Sequence, residues 1–338
     1  MKLYGGIDLH SNNSVVVLID EEGREILRKR IANDLIKIVS LLEPWRSNLL
    51  GVVVESTYNW YWLVDGLMES GFKVHLANTA AIQQYSGVKY TDDTSDARWL
   101  SELLRLGILP EGYIYPKEQR TARDLMRKRM QLVQQSTLNV QSIQGLYARH
   151  LNKRISANKI KQLTAEQVDV DFLIPHVALA VKSNLVVMNC LQEQINTLEK
   201  VLKKDLRLER AFEQLTSIDG IGLVLALTIM LETGAISRFD TVGDYASYCR
   251  CISGAKFSNG KKKGNTNSKN GNKFLAWAFT EAANFAIRYN ETVKQYYQRK
   301  LAKTNKVVAI KTVAHKLARA CFYVLRDQVE FNVQKAFM

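Results

Sequence analysis

Acidic side chains in the first third of the chain have the types and spacing that could do chemistry. Asp8 interrupts an apolar run, Glu55 ends the strand-like run 50–54, and Asp93 and Asp96 stand three residues apart where a helical pattern begins. A carboxylate buried in a sheet is unfavourable unless a basic partner, a raised pKa or a metal ion offsets its charge. If the partner is a metal ion, the site could polarise a bound substrate as a Lewis acid.

The segment from residue 2 to residue 107 must position these acids. Its pattern predicts three strands joined by tight turns, then helices alternating with two more strands, at about 2–9, 13–20, 24–31, 50–55 and 72–76. Three antiparallel strands followed by alternating helices and parallel strands are typical of an RNase H-like sheet. In that fold the first strand, the fourth strand and a late helix carry acids to one end of the sheet. The spacing of Asp93 and Asp96 places both on one helical face.

Charge and composition narrow the classes of partner. The 338-residue chain is 46% hydrophobic, carries a formal net charge of +14 and has a pI near 9.5. A folded, strongly basic protein favours a polyanionic partner, with nucleic acid ahead of an acidic membrane. No segment reaches eighteen apolar residues and the start enters a strand, so we expect a cytoplasmic protein without membrane contact. Its scattered cysteines predict reduced core thiols, at Cys190, Cys249, Cys251 and Cys321.

A helical arm is predicted for residues 118–208. Leucines and isoleucines recur there at roughly helical spacing among Arg, Lys and Gln, in two runs that flank a polar connector at 156–171. Examples are Leu125, Leu132, Leu138, Ile143, Leu146, Leu191, Ile195, Leu198 and Leu202. The pattern indicates an antiparallel coiled coil. The pattern fits a plain helical spacer and a contact between subunits equally well.

A third region, residues 209–338, opens with the Gly220-Ile221-Gly222 motif. Glycines at a helix start are typical of a helix-hairpin-helix, a motif in which backbone N–H groups approach a phosphate. In this chain Gly220 and Gly222 would provide that approach. A tight turn between helices is the alternative.

A basic stretch follows that motif. No acid occurs between Asp244 and Glu281, and Gly and Asn alternate with cations at Lys256, Lys261, Lys262, Lys263, Lys269 and Lys273. We expect a flexible loop whose lysines contact phosphates and which becomes ordered on binding. A solvated surface loop is the alternative.

Five motifs in order give the chain a family resemblance that covers almost its whole length. It resembles the transposases of bridge-RNA-guided insertion sequences. The motifs are Gly6-Ile7-Asp8-Leu9-His10, Val53-Val54-Glu55-Ser56, Asp93-Thr94-Ser95-Asp96-Ala97, Gly220-Ile221-Gly222, and Ser258-Asn259-Gly260-Lys261 with Lys269-Asn270-Gly271-Asn272. The resemblance implies a RuvC-like DEDD domain at 1–117, a coiled-coil domain at 118–208 and a helical transposase domain at 209–338.

The resemblance also implies a set of functional residues. Asp8, Glu55, Asp93 and Asp96 would bind Mg²⁺, with Asp92 an additional acid beside them. The family's nucleophilic serine aligns with Ser258, and Ser253 and Ser268 are the nearby alternatives.

The partners implied by the resemblance are target DNA, donor DNA and a structured bridge RNA. Ser258 would attack a DNA phosphate and hold a phosphoserine link until another strand's hydroxyl displaces it. The implied assembly is a homo-oligomer, a dimer that forms a tetramer, with an active site shared between subunits. The implied location is the bacterial cytoplasm, in association with the nucleoid.

Three other functions share parts of this pattern. A RuvC-like structure-specific endonuclease would use the same acids with water as the nucleophile. Sugar kinases and actin-like ATPases also place an acid on the first strand, but they need glycine-rich phosphate loops in two duplicated halves, and no second copy is evident. A non-catalytic nucleic-acid-binding scaffold is disfavoured, because clustered acids would weaken DNA binding.

Overall fold

The structure is a computed structural model that describes residues 1–82, 93–206, 210–252, 254–265 and 270–338. It divides into two compact units, Met1–Lys117 and Glu118–Met338. The first is a mixed α/β unit and the second is mostly helical, as the sequence predicted.

A six-stranded sheet in the order β3-β2-β1-β4-β5-β6 forms the centre of the first unit. The strands are β1 (Leu3–Leu9), β2 (Asn13–Ile19), β3 (Glu25–Ala32), β4 (Leu49–Glu55), β5 (Val74–Ala77) and β6 (Glu111–Gly112). β1, β2 and β3 pair antiparallel, β1 pairs parallel with β4 and β4 with β5, and β6 is antiparallel to β5. This topology is consistent with the RNase H-like sheet that the sequence predicted. The two-residue strand β6 was not predicted.

Helices cover both faces of the sheet because its central strands are apolar on both sides. They are α1 (Leu35–Leu42), α2 (Tyr61–Glu69), α3 (Thr79–Ile82) and α4 (Asp93–Arg105). Ile7, Val16 and Val54 pack on the side of α1 and α2. Val15 and Val17, which alternate with Val16, pack against Ala97 of α4.

A glycine lets α4 approach β1 very closely. A Cβ added to Gly6 would lie 2.0 Å from the carbonyl oxygen of Ala97 and 2.8 Å from the backbone nitrogen of Ser101. Both neighbouring atoms belong to the backbone, so rotation of a side chain could not relieve the clash. The residue at position 6 therefore fixes where the helix crosses the strand.

The second unit contains the remaining helices and one short hairpin. Its helices are α5 (Lys117–Leu151), α6 (Ala157–Ile160), α7 (Ala165–Asp171), α8 (Pro175–Leu206), α9 (Arg210–Thr216), α10 (Leu223–Thr233), α11 (Val242–Tyr248), α12 (Lys273–Tyr289), α13 (Glu291–Leu301), α14 (Lys306–Asp327) and α15 (Val333–Phe337). The hairpin strands are β7 (Ala255–Ser258) and β8 (Lys261–Asn265). Tyr245, Phe279 and Phe322 are fully buried in the core of the C-terminal helices.

The two longest helices, α5 and α8, pack antiparallel. Met126 shares an apolar cluster with Leu202, whereas near the other end Tyr147 of α5 shares a cluster with Val181 of α8. Two details differ from the predictions. Leu138 points to solvent with 64% exposure. The connector is not wholly polar, since α6 and α7 bury apolar side chains against the two long helices.

The cysteines are free thiols in the structure. Cys249 and Cys321 are buried as predicted, and Cys251 is partly buried. The core prediction is wrong for Cys190, which lies on an exposed face of α8. Among the helices of the described residues, none combines the length and apolarity needed to cross a bilayer.

Gly6→Ala tests the close approach of α4 to β1. We expect it to lower the free energy of unfolding by about 3 kcal/mol, because the added methyl group must displace backbone atoms. Urea denaturation measures the change. The matched control is Gly112→Ala in the same sheet, where the nearest atom to the added Cβ lies at 3.4 Å. Equal stability of the two variants would contradict the packing argument.

Candidate active site

Asp8 and Glu55 lie on neighbouring parallel strands at the same edge of the sheet. Ile7 of β1 pairs with Val54 of β4, so Asp8 and Glu55 are the next residues on their strands. Asp8 is only 3% exposed and Glu55 is half-buried. Because side chains alternate along a strand, Asp8 shares the face of Gly6, against which α4 packs.

The direction of α4 brings its first turn to this same edge. At its other end, Arg105 donates to the carbonyl oxygen of Glu21 at 3.0 Å, in the turn beyond the amino end of β1. The first turn, with Asp93 and Asp96, therefore lies toward the carboxyl ends of β1 and β4. Asp96 is half-buried. The positive end of the helix dipole favours acids at this position.

His10 is a neighbour of Asp8 that was not singled out from the sequence. Its Nε2 lies 3.4 Å from Oδ2 of Asp8. The backbone of His10 is held by two amide side chains, since Asn33 and Asn59 donate to its carbonyl oxygen at 2.9 and 3.0 Å. These bonds fix the chain where it leaves β1, and with it the position of the Asp8 carboxylate. Spacing alone could have suggested His10, because it follows Asp8 by two residues.

Only some of the predicted acids are among the side chains that the structure describes. Asp92 and the side chain of Asp93 lie outside the described residues. Among the side chains that are described, no group of three or more His, Cys, Asp or Glu is arranged to hold a metal ion. What the described residues supply is Asp8, Glu55 and Asp96 at one edge. Their oxygen donors are the type that Mg²⁺ and other hard cations prefer, so the chemistry of the donors fits such an ion.

Ser258 lies at the tip of a regular hairpin. It ends β7, pairs with Lys261 across the turn and is exposed. The turn residues Asn259 and Gly260 both have positive φ, 50° and 70°, as a two-residue type I′ turn requires. The prediction of a flexible loop is therefore wrong for residues 255–265. The Asn-Gly signal for a hairpin was present in the sequence, but the density of Lys, Gly and Asn favoured a loop.

Other residues of the basic stretch are described to different extents. Lys261 and Lys263 are exposed on the hairpin, and Lys273 is the first residue of α12, with Nζ 5.1 Å from the ring centroid of Phe274. Ser253, Ser268 and Lys269 lie outside the described residues. So do the side chains of Lys256 and Lys262.

The chain is pinned on both sides of the hairpin. The Arg250 guanidinium donates to the Gly271 carbonyl oxygen through Nε and Nη2, at 3.1 and 2.8 Å. The backbone N–H of Asn272 donates to the Tyr248 carbonyl oxygen at 2.6 Å. The segment that carries Ser258 is therefore closed at its base.

A buried carboxylate ties this base to the long helix α5. Glu232 of α10 is 2% exposed and accepts two hydrogen bonds from Arg127 of α5, at 2.6 and 2.7 Å. It also accepts from Nδ2 of Asn272 at 2.7 Å, while Oδ1 of Asn272 caps α12 by accepting from Phe274 and Leu275. Sequence analysis missed this network, since Arg127 and Glu232 stand far apart in the chain.

The Gly220-Ile221-Gly222 turn joins α9 to α10, and its two glycines have different surroundings. Gly220 has φ of +94°, and an added Cβ would lie 2.5 Å from the Ala282 carbonyl oxygen in α12. Close packing against α12 thus accounts for Gly220. Gly222 is exposed, precedes the first turn of α10 and has open space around its Cα. Of the two, Gly222 is the glycine that a phosphate could approach.

Comparison with known protein families decides the class of this site. A family model for the DEDD domain of IS110 elements, described as "Transposase", matches residues 5–150. A second model, described as "Transposase IS116/IS110/IS902 family", matches residues 212–298. The chain carries the domains of an IS110-family transposase. No curated protein matches the chain.

The chain is therefore a DNA transposase/recombinase. The acidic edge and the Ser258 hairpin fall in different matched regions. The first match contains the acidic edge, and the second contains the Ser258 hairpin together with Glu232 and Asn272. A DEDD-type domain suggests a divalent metal ion.

Glu232→Ala tests the network beneath the hairpin. Removing the carboxylate leaves Arg127 and Asn272 without their shared acceptor, and breaking a buried pair costs about 3–5 kcal/mol. Urea denaturation should show that loss. Glu291→Ala is the control, because it removes an exposed pair with Lys294 and should change stability by at most about 1 kcal/mol. Equal effects of the two changes would contradict a structural role for Glu232.

Proposed function

We propose that this transposase cleaves and rejoins DNA strands under the guidance of a structured RNA. In this proposal Asp8, Glu55, Asp93 and Asp96 bind Mg²⁺, and Ser258 is the nucleophile. The observation that carries it is the meeting of β1, β4 and the first turn of α4 at one edge, with Asp8 next to the paired Ile7 and Glu55 next to Val54.

The acidic edge is proposed to bind the divalent ion that DEDD-type transposases imply. Four carboxylates in one place repel one another, so a cation between them lowers the energy of the folded protein. When bound, the ion would polarise a scissile phosphate and neutralise the charge that develops on it. The chain's own part is to hold the carboxylates, through the Gly6 contact and the hydrogen bonds at His10.

Ser258 is proposed to carry the strand exchange. Its Oγ would bond to the phosphorus of a DNA phosphodiester as the bond from phosphorus to the 3′ oxygen breaks, giving a 5′-phosphoserine and a 3′-hydroxyl. The proton lost from the serine hydroxyl is matched by the proton gained by the leaving 3′ oxygen. The hydroxyl of a second strand would then displace Ser258, so each ester bond broken is replaced by another and no nucleotide hydrolysis is needed. The exposed position of Ser258 beside the two-residue turn suits attack on a bound strand.

Basic side chains would hold the nucleic acids. The exposed Lys261 and Lys263 lie on β8, the hairpin strand opposite the serine, and Lys273 follows at the start of α12. Lys256, Lys262 and Lys269 are proposed to act with them, as is the exposed helix start at Gly222. Contacts of this kind supply affinity without sequence preference.

Sequence choice is proposed to reside in a bridge RNA that pairs with target and donor DNA. This part, like the homo-oligomer with a shared active site, rests on the family resemblance and on the +14 charge. Sequencing the RNA that copurifies with the protein tests it. One structured species encoded beside the transposase gene is expected, and a random mixture of host transcripts would contradict it.

Asp8→Asn tests the metal site. We expect this variant to lose both recombination and high-affinity binding of Mn²⁺, measured by electron paramagnetic resonance, because one charged ligand becomes a neutral amide. The matched control is Asp20→Asn. Asp20, the residue directly after β2, is also buried but accepts hydrogen bonds from Arg24 and Glu22 in the turn at the other end of the sheet. That variant should lose stability and keep Mn²⁺ binding, and Mn²⁺ binding retained by Asp8→Asn would overturn the assignment.

Ser258→Ala separates a serine nucleophile from water. With the wild-type protein, a substrate trapped in mid-reaction should stay attached after denaturation, because a phosphoserine ester is covalent. Ser258→Ala should lose this adduct and the recombinant product yet bind DNA with nearly unchanged affinity.

Ser253→Ala and Ser268→Ala are the matched controls, and both should form the adduct. Loss of the adduct in one of them instead would move the nucleophile to that serine. Strand cleavage that persists in Ser258→Ala without any adduct would favour water as the nucleophile.

A further inference from the structure

A basic cleft lies among the last three helices, α13, α14 and α15. It has a volume of about 800 Å³. Its walls are formed in part by Tyr296, His315, Lys316, Arg319, Tyr323 and Lys335. Nearly all of its lining follows residue 298, where the second family match ends. The cleft is therefore not assigned by either family domain or by the proposed active site.

Positive charges crowd around one aromatic ring of this cleft. The side-chain cations of Arg299, Lys300 and Lys316 lie 5.9, 5.4 and 5.6 Å from the ring centroid of Tyr296. Each gains a modest attraction from the ring, about 0.5–1 kcal/mol at an exposed site, but the three repel one another. An anion placed among them would remove that repulsion.

The remaining charges do not cancel this excess. Of the two acids in the lining, Asp327 is already paired with Arg326 at 2.6 Å, which leaves Glu330. Among the described residues, Lys316 and Arg319 have no acid within salt-bridge distance. The pKa of His315 agrees with a positive local potential, because it is lowered by burial and then by Arg319 and Lys316.

Aromatic side chains stand beside these cations. Tyr323 is 38% exposed, and Tyr296 is half-buried with its ring edge against Phe337. A basic groove with accessible rings is the usual surface for single-stranded nucleic acid, since cations follow the phosphates and bases stack on rings. A plain phosphate ion would not need the rings.

We propose that this cleft binds the sugar-phosphate backbone of a single-stranded nucleic-acid segment, with a base stacked on Tyr323. Lys316 and Arg319 contact its phosphates. The cleft is separate from the Ser258 hairpin in sequence and chemistry, so the proposal stands whether or not Ser258 is the nucleophile.

The test is direct binding, with no dependence on catalysis. Fluorescein-labelled twelve-nucleotide oligo(U) and oligo(dT) and a twelve-base-pair DNA duplex are titrated with wild-type protein and with Lys316→Ala/Arg319→Ala, from 50 to 300 mM salt. Losing two phosphate contacts should lower the slope of log K against log salt by about 1.4 for single strands, about a tenfold loss in affinity at 150 mM salt. Duplex binding should change less, and the more affected single strand identifies RNA or DNA as the natural occupant.

The matched control is the pair Lys200→Ala/Lys203→Ala on α8, which removes the same charge outside the cleft. An equal loss for the two double variants, or a loss confined to duplex DNA, would overturn the proposal. Tyr323→Ala should weaken single-strand binding with the salt slope unchanged, since it removes stacking and no charge.

Acetylation of lysines in the wild-type protein, followed by mass spectrometry, guards against a folding defect in the variants. Oligo(U) or oligo(dT) should protect Lys316 and Lys335 from reaction, and Lys203 should react equally with and without them. Absence of protection would overturn the proposal. Equal protection by poly-glutamate would show a site for any polyanion and would also overturn it.

Discussion

The contact between Gly6 and the backbone of Ala97 is the constraint on which the acidic edge depends. No other residue type could bring α4 so near β1 at this point, because a Cβ would lie 2.0 Å from a carbonyl oxygen. The contact fixes the position along β1 at which α4 crosses the strand. The first turn of α4 then stands over the carboxyl ends of β1 and β4, where Asp8 and Glu55 are. The glycine two residues before Asp8 is thus required for the geometry of the site.

The second unit uses the same device together with a buried ion pair. Gly220 approaches α12 as Gly6 approaches α4, with its positive φ closing the turn before α10. α10 in turn carries Glu232, which holds Arg127 on one side and Asn272 on the other. A buried carboxylate of this kind is stable only while all its partners are in place. These contacts therefore hold both ends of the segment that carries Ser258.

Much of the first unit could be predicted from its sequence. Alternating apolar residues located five of the six strands, and strand order placed Asp8 and Glu55 at one edge because parallel strands end together. The rest depended on contacts between residues far apart in the chain. Neither Arg127 nor Glu232 carries a local signal for the other, and Gly220 could equally have faced a phosphate. The hairpin at Asn259-Gly260 did carry a local signal, but composition outweighed it.

Cleavage of the polypeptide by bound iron tests the central claim most directly. Fe²⁺ that occupies an Mg²⁺ site generates hydroxyl radicals, and these cut the backbone close to the ligands. With ascorbate and peroxide, cuts should cluster near residues 8, 55 and 93–96, and excess Mg²⁺ should suppress all three together. The Asp8→Asn variant should show none of them. Cuts at only one of these places, or cuts elsewhere that Mg²⁺ competes away, would contradict a shared metal site at this edge of the sheet.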